Sequence, residues 1–184
     1  EQGAGYMGDG YARASGEVGV CIAQNGPGVT NFVTAVAAAY WNHSPLVVVT
    51  PETGTGTIGL GGFQETRQLP YFAEITCHQE TLTHPARMAE ALARCFQRAR
   101  RHSAPVQLNL PRDLFCQLVD CEIPEPVAPG RQPGDREAVS AAARLLAAAR
   151  FPVIVAGAGV VLSGAGDGCR RLAERLDAPV ANSY

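Results

Sequence analysis

Residues 18–50 read VGVCIAQNGPGVTNFVTAVAAAYWNHSPLVVVT. Two short runs within them, 18–23 (VGVCIA) and 46–50 (LVVVT), have the apolar, β-branched character of buried strands. Between the two runs, Gln24-Asn25-Gly26-Pro27-Gly28 makes a turn. Apolar residues then recur at Val29, Phe32, Val33, Val36, Ala37 and Tyr40, which is one face of a single helix. Strand, helix and strand at this spacing form a βαβ unit, with Pro51 closing the second strand. The unit predicts an α/β fold built on a parallel sheet with a right-handed crossover.

Towards the C-terminus, residues 53–62 (TGTGTIGLGG) are a Gly/Thr stretch too flexible to form an element. Pro85 follows His84, a candidate helix cap, and Met88, Leu92, Cys95, Phe96 and Ala99 line one face of a helix. Residues 106–110 (VQLNL) read as a third strand, ended by Pro111-Arg112-Asp113. Composition then shifts: Pro124, Pro126, Pro129 and Pro133 fall together with Gly130 and Gly134, marking residues 119–134 as an extended linker. Beyond it come a helix over about 135–150, a strand over 152–156, a Gly-rich turn, a helix near 169–176 and the start of a strand at 178–181. The expected organisation is one α/β domain over 1–118 and a second, truncated one over 135–184. Because the chain opens on Glu1 rather than Met, it reads as a fragment of a longer protein.

Composition narrows the chemistry. Hydrophobic residues make up 46% of the 184 and charged residues 17%, enough to bury a core. A net charge of -2 argues against nucleic acid as a partner, since such proteins carry a basic excess. All 15 basic residues are Arg, so this segment holds no P-loop lysine and no Schiff-base lysine. The 6 cysteines form no C-x-x-C and the 4 histidines no H-E-x-x-H, so no metal ligand set is nominated. Most of the cysteines lie in apolar context, which predicts buried free thiols and a reducing, cytoplasmic location. No apolar run reaches the roughly 18–20 residues of a membrane span, so no membrane partner is expected.

Three features go further than a generic α/β reading. They are the opening EQGAGYMGDGYAR (1–13), the turn NGPGVTN (25–31) and Gly62-Phe63-Gln64-Glu65 after the flexible loop. In that order the chain resembles the pyrimidine-binding domain of thiamine diphosphate enzymes of the acetolactate synthase group. Its wording at 23–33 (AQNGPGVTNFV), 39–46 (AYWNHSPL), 57–65 (TIGLGGFQE), 87–90 (RMAE) and 178–180 extends the likeness over nearly the whole chain. The resemblance implies a pyrimidine-binding domain followed by the start of a Rossmann-like central domain. It also implies thiamine diphosphate and Mg2+ as cofactors, the metal and diphosphate being held by a domain outside this chain.

The chemistry of that cofactor calls for one carboxyl group. Its own amino group removes the thiazolium proton, and becomes basic enough to do so when a carboxyl in a dry pocket hydrogen-bonds the far ring nitrogen. By resemblance Glu1 is that catalytic carboxyl; the bland alternative is a surface Glu at a chain end. Glycines at 3, 5, 8 and 10 would each cost a helix about 1 kcal/mol relative to Ala. Such a run is tolerated where backbone packs closely, as beneath a cofactor ring, and in the family the stretch is helical.

Gly26, Pro27, Gly28 and Asn31 form a rigid turn entering a helix, and the resemblance places it near the aminopyrimidine; a plain phosphate-type or structural turn is the alternative. Phe63 and Gln64 match a family pair near the reacting centre, with Gln64 a second catalytic candidate able to hydrogen-bond substrate; a loop helix packed on the domain is the alternative. Glu65 reads as structural and His43 as a turn histidine. Gly8-Asp9-Gly10 imitates the start of the family's metal and diphosphate motif, but Asn31 and Asn42 both miss the required interval. Gly157-Ala158-Gly159 imitates half of a dinucleotide fingerprint, with Leu162 where the third Gly belongs, and reads as a degenerate remnant.

The function implied is an acyl transfer that converts sulfoacetaldehyde and phosphate to acetyl phosphate and sulfite. The alternative within the group is acetolactate synthase or another 2-oxoacid decarboxylase acting on pyruvate; outside it, a non-catalytic nucleotide-binding module. A homodimer or homotetramer is expected, because in this superfamily the cofactor lies between subunits.

Overall fold

The computed structural model describes residues 1–125 and 133–183, and divides the chain into two compact units, Glu1–Pro129 and Gly130–Tyr184. Much of the expected linker therefore lies outside the described residues.

The first unit contains α1 (Gln2–Ser15), β1 (Gly19–Ile22), α2 (Pro27–Asn31), α3 (Val33–Trp41), β2 (Leu46–Glu52), α4 (Leu69–Phe72), β3 (His78–Thr81), α5 (Met88–His102) and β4 (Pro105–Pro111). Its four strands form one sheet in the order β1-β2-β4-β3, and every neighbouring pair is parallel. The α/β reading with a parallel sheet thus holds.

Burial follows the side-chain alternation of the strands. On one face Val47, Val49, Val106, Leu108 and Leu110 pack against Ala91, Cys95 and Ala99 of α5. On the other, Cys21, Leu46 and Val48 pack against Val29, Phe32, Val36 and Ala39 of α2 and α3. The glycines of α1 serve this second layer. A Cβ at Gly5 would stand 2.7 Å from that of Ala35, and one at Gly8 would meet Leu46 at 3.0 Å. Gly3 and Gly10 have nothing so close. Close helix packing, rather than a cofactor ring above the backbone, thus accounts for the buried glycines of this run.

Four expectations are corrected. The helix expected from Val29 to Tyr40 is divided at Phe32, where α2 gives way to α3. Pro51 does not close β2, which runs on to Glu52 paired with Pro111. β1 pairs with β2 only as far as Val49, and its last rung is the Ala23 N–H on the Val49 carbonyl, so Pro51 lies past the end of that ladder and stays paired on the β4 side alone. β1 is not buried on both faces: α5 covers β2, β4 and β3, and leaves Val20 at 49% and Ile22 at 63% exposure. β3 and α4 have no counterpart among the expected elements.

The polar positions of β4 are a further departure from pattern. Gln107 and Asn109 alternate with apolar residues, yet they are buried. Gln107 Nε2 donates to Thr50 Oγ1 at 3.0 Å, Thr50 Oγ1 donates to Asn109 Oδ1 at 3.0 Å, and Gln79 Nε2 donates to Gln107 Oε1 at 2.6 Å. Asn109 also donates to Glu52. A row of carboxamides and hydroxyls crosses β2, β4 and β3 with its hydrogen bonds satisfied.

The second unit contains α6 (Arg136–Ala148), β5 (Ile154–Ala156), α7 (Ala158–Leu162), α8 (Gly166–Leu176) and β6 (Val180–Asn182), with β5 and β6 parallel. Asp135 caps α6, its carboxylate accepting from the Ala138 N–H at 2.7 Å. Among its described residues none is buried; Phe151 and Leu145 are three-quarters exposed.

Candidate functional site

In open α/β sheets ligands bind beyond the carboxyl ends of the strands. Here the chain leaves β1 into residues 23–28 and leaves β2 into the loop 53–68, and these two segments meet. Glu1 sits at the N-cap position of α1, but its side chain makes no cap hydrogen bond. Instead its carboxylate Oε2 accepts from Asn31 Nδ2 in the last turn of α2, at 3.3 Å. Gly28 lies against it: a Cβ there would stand 3.4 Å from Glu1 Oε1 and 2.9 Å from the Gln24 Cβ. Pro27 starts α2, where its missing N–H is no loss.

Gly26 has φ 69° and is buried. A Cβ there would stand 2.4 Å from the Gln64 carbonyl oxygen, so glycine is required twice over, for conformation and for space. Gln64 itself has φ 62°, unusual for a residue with a side chain. Its Oε1 accepts from Gln24 Nε2 at 2.9 Å. Glu1, Gly26, Gly28, Asn31 and Gln64 are therefore brought to one place. Phe63, next to Gln64, is 85% exposed. Residues 62–65 form no helix, which removes the alternative of a loop helix.

Three residues of this site are additional to those nominated from sequence. Gln24 joins the turn to the loop. Asn25 Nδ2 lies 3.5 Å from Thr53 Oγ1, and Gln68 Nε2 donates both to Asn25 Oδ1 at 3.1 Å and to the Pro51 carbonyl at 2.6 Å. Gln68 is 1% exposed, so this clasp fixes the base of the loop from within. Gln24 and Asn25 directly follow the apolar run 18–23, but any strand-ending turn carries polar residues there, so position alone did not single them out.

The loop 53–68 carries no helix or strand up to α4, as expected from its composition, but it is pinned. Asp113 accepts from the Thr55 N–H at 2.9 Å and from its hydroxyl at 2.6 Å. Glu65 accepts from the N–H groups of Gly59 and Gly62. Those backbone donors hold the Glu65 carboxyl below its usual range, and the Thr55 hydroxyl and N–H do the same for Asp113. Glu65 is a loop fastener, as expected.

The remaining candidates lie elsewhere. His43 is exposed at φ 56°, its N–H on the Tyr40 carbonyl, a helix-ending turn. Asp9 of the Gly8-Asp9-Gly10 triplet is buried within α1, 3.9 Å from Arg13. Gly157 precedes the five-residue α7. His78, Glu80 and Cys95 bring donor atoms within 4.8 Å of one another. Arg94, however, grips both Glu80 oxygens, at 2.9 and 2.5 Å, and holds its carboxyl below the ordinary range; a guanidinium there makes this an ion pair. Of the six thiols, all free, only Cys21 and Cys95 are buried, and burial pushes them up to about 12 and about 11. Cys77, Cys121 and Cys169 are half-buried and Cys116 is exposed, so the expectation that most of the thiols are buried does not hold.

The site has the Glu1 carboxylate held by the Asn31 amide beside Gly28, and a Gln64 backbone at positive φ packed on Gly26 and linked through its side chain to Gln24. Glu1 is exposed, so the described residues do not themselves form the dry pocket its expected chemistry needs.

The family "Thiamine pyrophosphate enzyme, N-terminal TPP binding domain" matches residues 1–71, and "Thiamine pyrophosphate enzyme, central domain" matches residues 139–184. The whole chain is 61% identical to a sulfoacetaldehyde acetyltransferase of Castellaniella defragrans and 55% identical to one of Alcaligenes xylosoxydans xylosoxydans. A probable acetolactate synthase large subunit of Methanocaldococcus jannaschii is 40% identical over 191 residues, again covering the whole chain. The chain spans 31%, 30% and 32% of these three relatives' lengths. With two successive domain families matched over more than half of its residues, the chain belongs to the thiamine pyrophosphate enzymes.

Proposed function

We propose that the full-length protein carrying this chain is a thiamine diphosphate-dependent acyltransferase that converts sulfoacetaldehyde and phosphate to acetyl phosphate and sulfite in sulfonate breakdown. The observation that carries this reading is the 61% identity over all 184 residues to a sulfoacetaldehyde acetyltransferase, against 40% to the acetolactate synthase relative. Residues 1–118 serve as the pyrimidine-binding domain, 119–134 as a linker and 135–184 as the start of the central domain. The protein works in the cytoplasm, where its free thiols are stable.

The residues present suit the cofactor. A flat aminopyrimidine needs one carboxyl and an unobstructed backbone beside it. Glu1 supplies the first and Gly28, with no side chain 3.4 Å from Glu1 Oε1, the second. When bound, thiamine diphosphate supplies a carbon nucleophile that can take up and pass on an acyl group. Glu1 would hydrogen-bond the pyrimidine ring nitrogen and so raise the basicity of the cofactor's amino group, and Asn31 holds Glu1 in place. Gly26, Pro27 and Gly28 shape the wall of the pyrimidine site, Phe63 extends it, and Gln64 orients the substrate. Mg2+ and the diphosphate are held by a further domain, and a homodimer or homotetramer closes the site over Glu1 and Phe63, both exposed here.

The test uses the full-length protein with thiamine diphosphate, Mg2+, phosphate and sulfoacetaldehyde. Phosphate-dependent sulfite release is expected. Carbon dioxide from pyruvate with no sulfite would assign it to the acetolactate synthase side of the group instead.

A further inference from the structure

We propose that Gln24 is a positioning residue that sets which end of the Gln64 carboxamide faces the substrate; this rests on the role just given to Gln64. A carboxamide has an accepting end and a donating end. Gln24 Nε2 donates to Gln64 Oε1 at 2.9 Å, which occupies the accepting end. Among the described residues Gln64 Nε2 has no protein partner, so the N–H end is the one left free for a ligand. Such an end recognises an oxygen acceptor, and the substrate class it selects is a small aldehyde or one carrying an anionic oxygen group.

The orientation is held by more than the one contact. Gln64 sits at φ 62° with its carbonyl oxygen pressed against Gly26, and the loop base is fastened through Gln68, Asn25 and Thr53. Backbone movement is thereby restricted, which leaves rotation of the carboxamide as the free variable. Gln24 controls that rotation from a segment that also abuts Gly28.

The Gln24→Glu variant inverts the contact. The introduced carboxylate can only accept, so it draws Gln64 Nε2 inward and turns the side-chain oxygen of Gln64 towards the substrate, where two acceptors repel. In the full-length enzyme we expect the KM for sulfoacetaldehyde to rise about tenfold or more, while kcat falls less than about threefold. Thiamine diphosphate affinity and melting temperature should stay at wild-type values. Gln24→Leu should raise KM less than Gln24→Glu, and combining Gln24→Leu with Gln64→Leu should be no worse than Gln64→Leu alone, since both act through one group.

An unchanged KM in Gln24→Glu, or losses that multiply in the double variant, would overturn the proposal. So would a fall in melting temperature with parallel losses of kcat and cofactor affinity, which would make Gln24 merely structural. If the wild-type protein proves to act on pyruvate, the reading of the substrate falls. The same variants assayed by carbon dioxide release from pyruvate would then still judge Gln24.

Discussion

Glu1 commits its carboxylate to Asn31 instead of capping the helix it begins, which leaves it beside Gly28 for the role proposed above. Glu1→Gln keeps the shape and an oxygen for Asn31 but removes the negative charge. The expected result is a loss of activity of about a hundredfold or more, with the melting temperature within about 2 °C of wild type. Gly26→Ala is different in kind: it places a Cβ 2.4 Å from the Gln64 carbonyl at φ 69°, so both stability and activity fall, by about 2 kcal/mol in the first case. Thermal unfolding with and without cofactor separates the two variants. Thiols divide by burial as well. Reagents that modify thiolates at pH 8 should label Cys116 first and leave Cys21 and Cys95 unreacted until the fold opens, and Cys116→Ser should remove the fast phase.

At the scale of elements, β3 and α5 are tied by Glu80 and Arg94, with His78 and Glu90 alongside. Arg94 holds the Glu80 carboxyl below its ordinary 4.5, followed in effect by the smaller contribution of His78. A carboxyl with a lowered folded value stabilises the fold at every pH above 4.5, and that contribution fades as pH falls through the folded value. Glu80→Gln should therefore melt about 2–4 °C lower than wild type at pH 7, and the difference should shrink steadily below pH 4.5.

The βαβ unit was legible because two β-branched runs and one 3.6-residue periodicity coincide within 33 residues. β3, with sequence His-Gln-Glu-Thr, was not, since its polar side chains find partners only in the folded sheet, through Gln107, Leu69 and Arg94. The division at Phe32 left no mark on the periodicity either, because the buried face continues through it. In the site, Glu1, the Gly-Pro-Gly turn and Gln64 could be nominated from wording; Gln24 and Gln68 act through contacts 40 and 43 residues distant in sequence, which no local pattern encodes.

On the scale of the whole molecule the two units differ in what holds them. The first has a covered sheet with two apolar layers. The second has two three-residue strands and no buried residue among those described, although Val155 and Val161 are apolar and more than two-thirds exposed. Hydrogen exchange on the 184-residue chain should show amides of β2 and β4 protected at least about a hundredfold more than those of β5 and β6. Equal protection would mean that the second unit carries a core of its own.

The central claim is that the Glu1 carboxyl, held by Asn31 beside Gly28, activates the cofactor. It is tested most directly by exchange of the thiazolium C2 proton of thiamine diphosphate bound to the full-length protein, followed by NMR in wild type and Glu1→Gln. The account predicts rapid exchange in the wild type and exchange slower by about a hundredfold or more in the variant, with the cofactor still bound. Equal rates in the two proteins would contradict it, and Glu1 would then be a surface residue at the start of a helix.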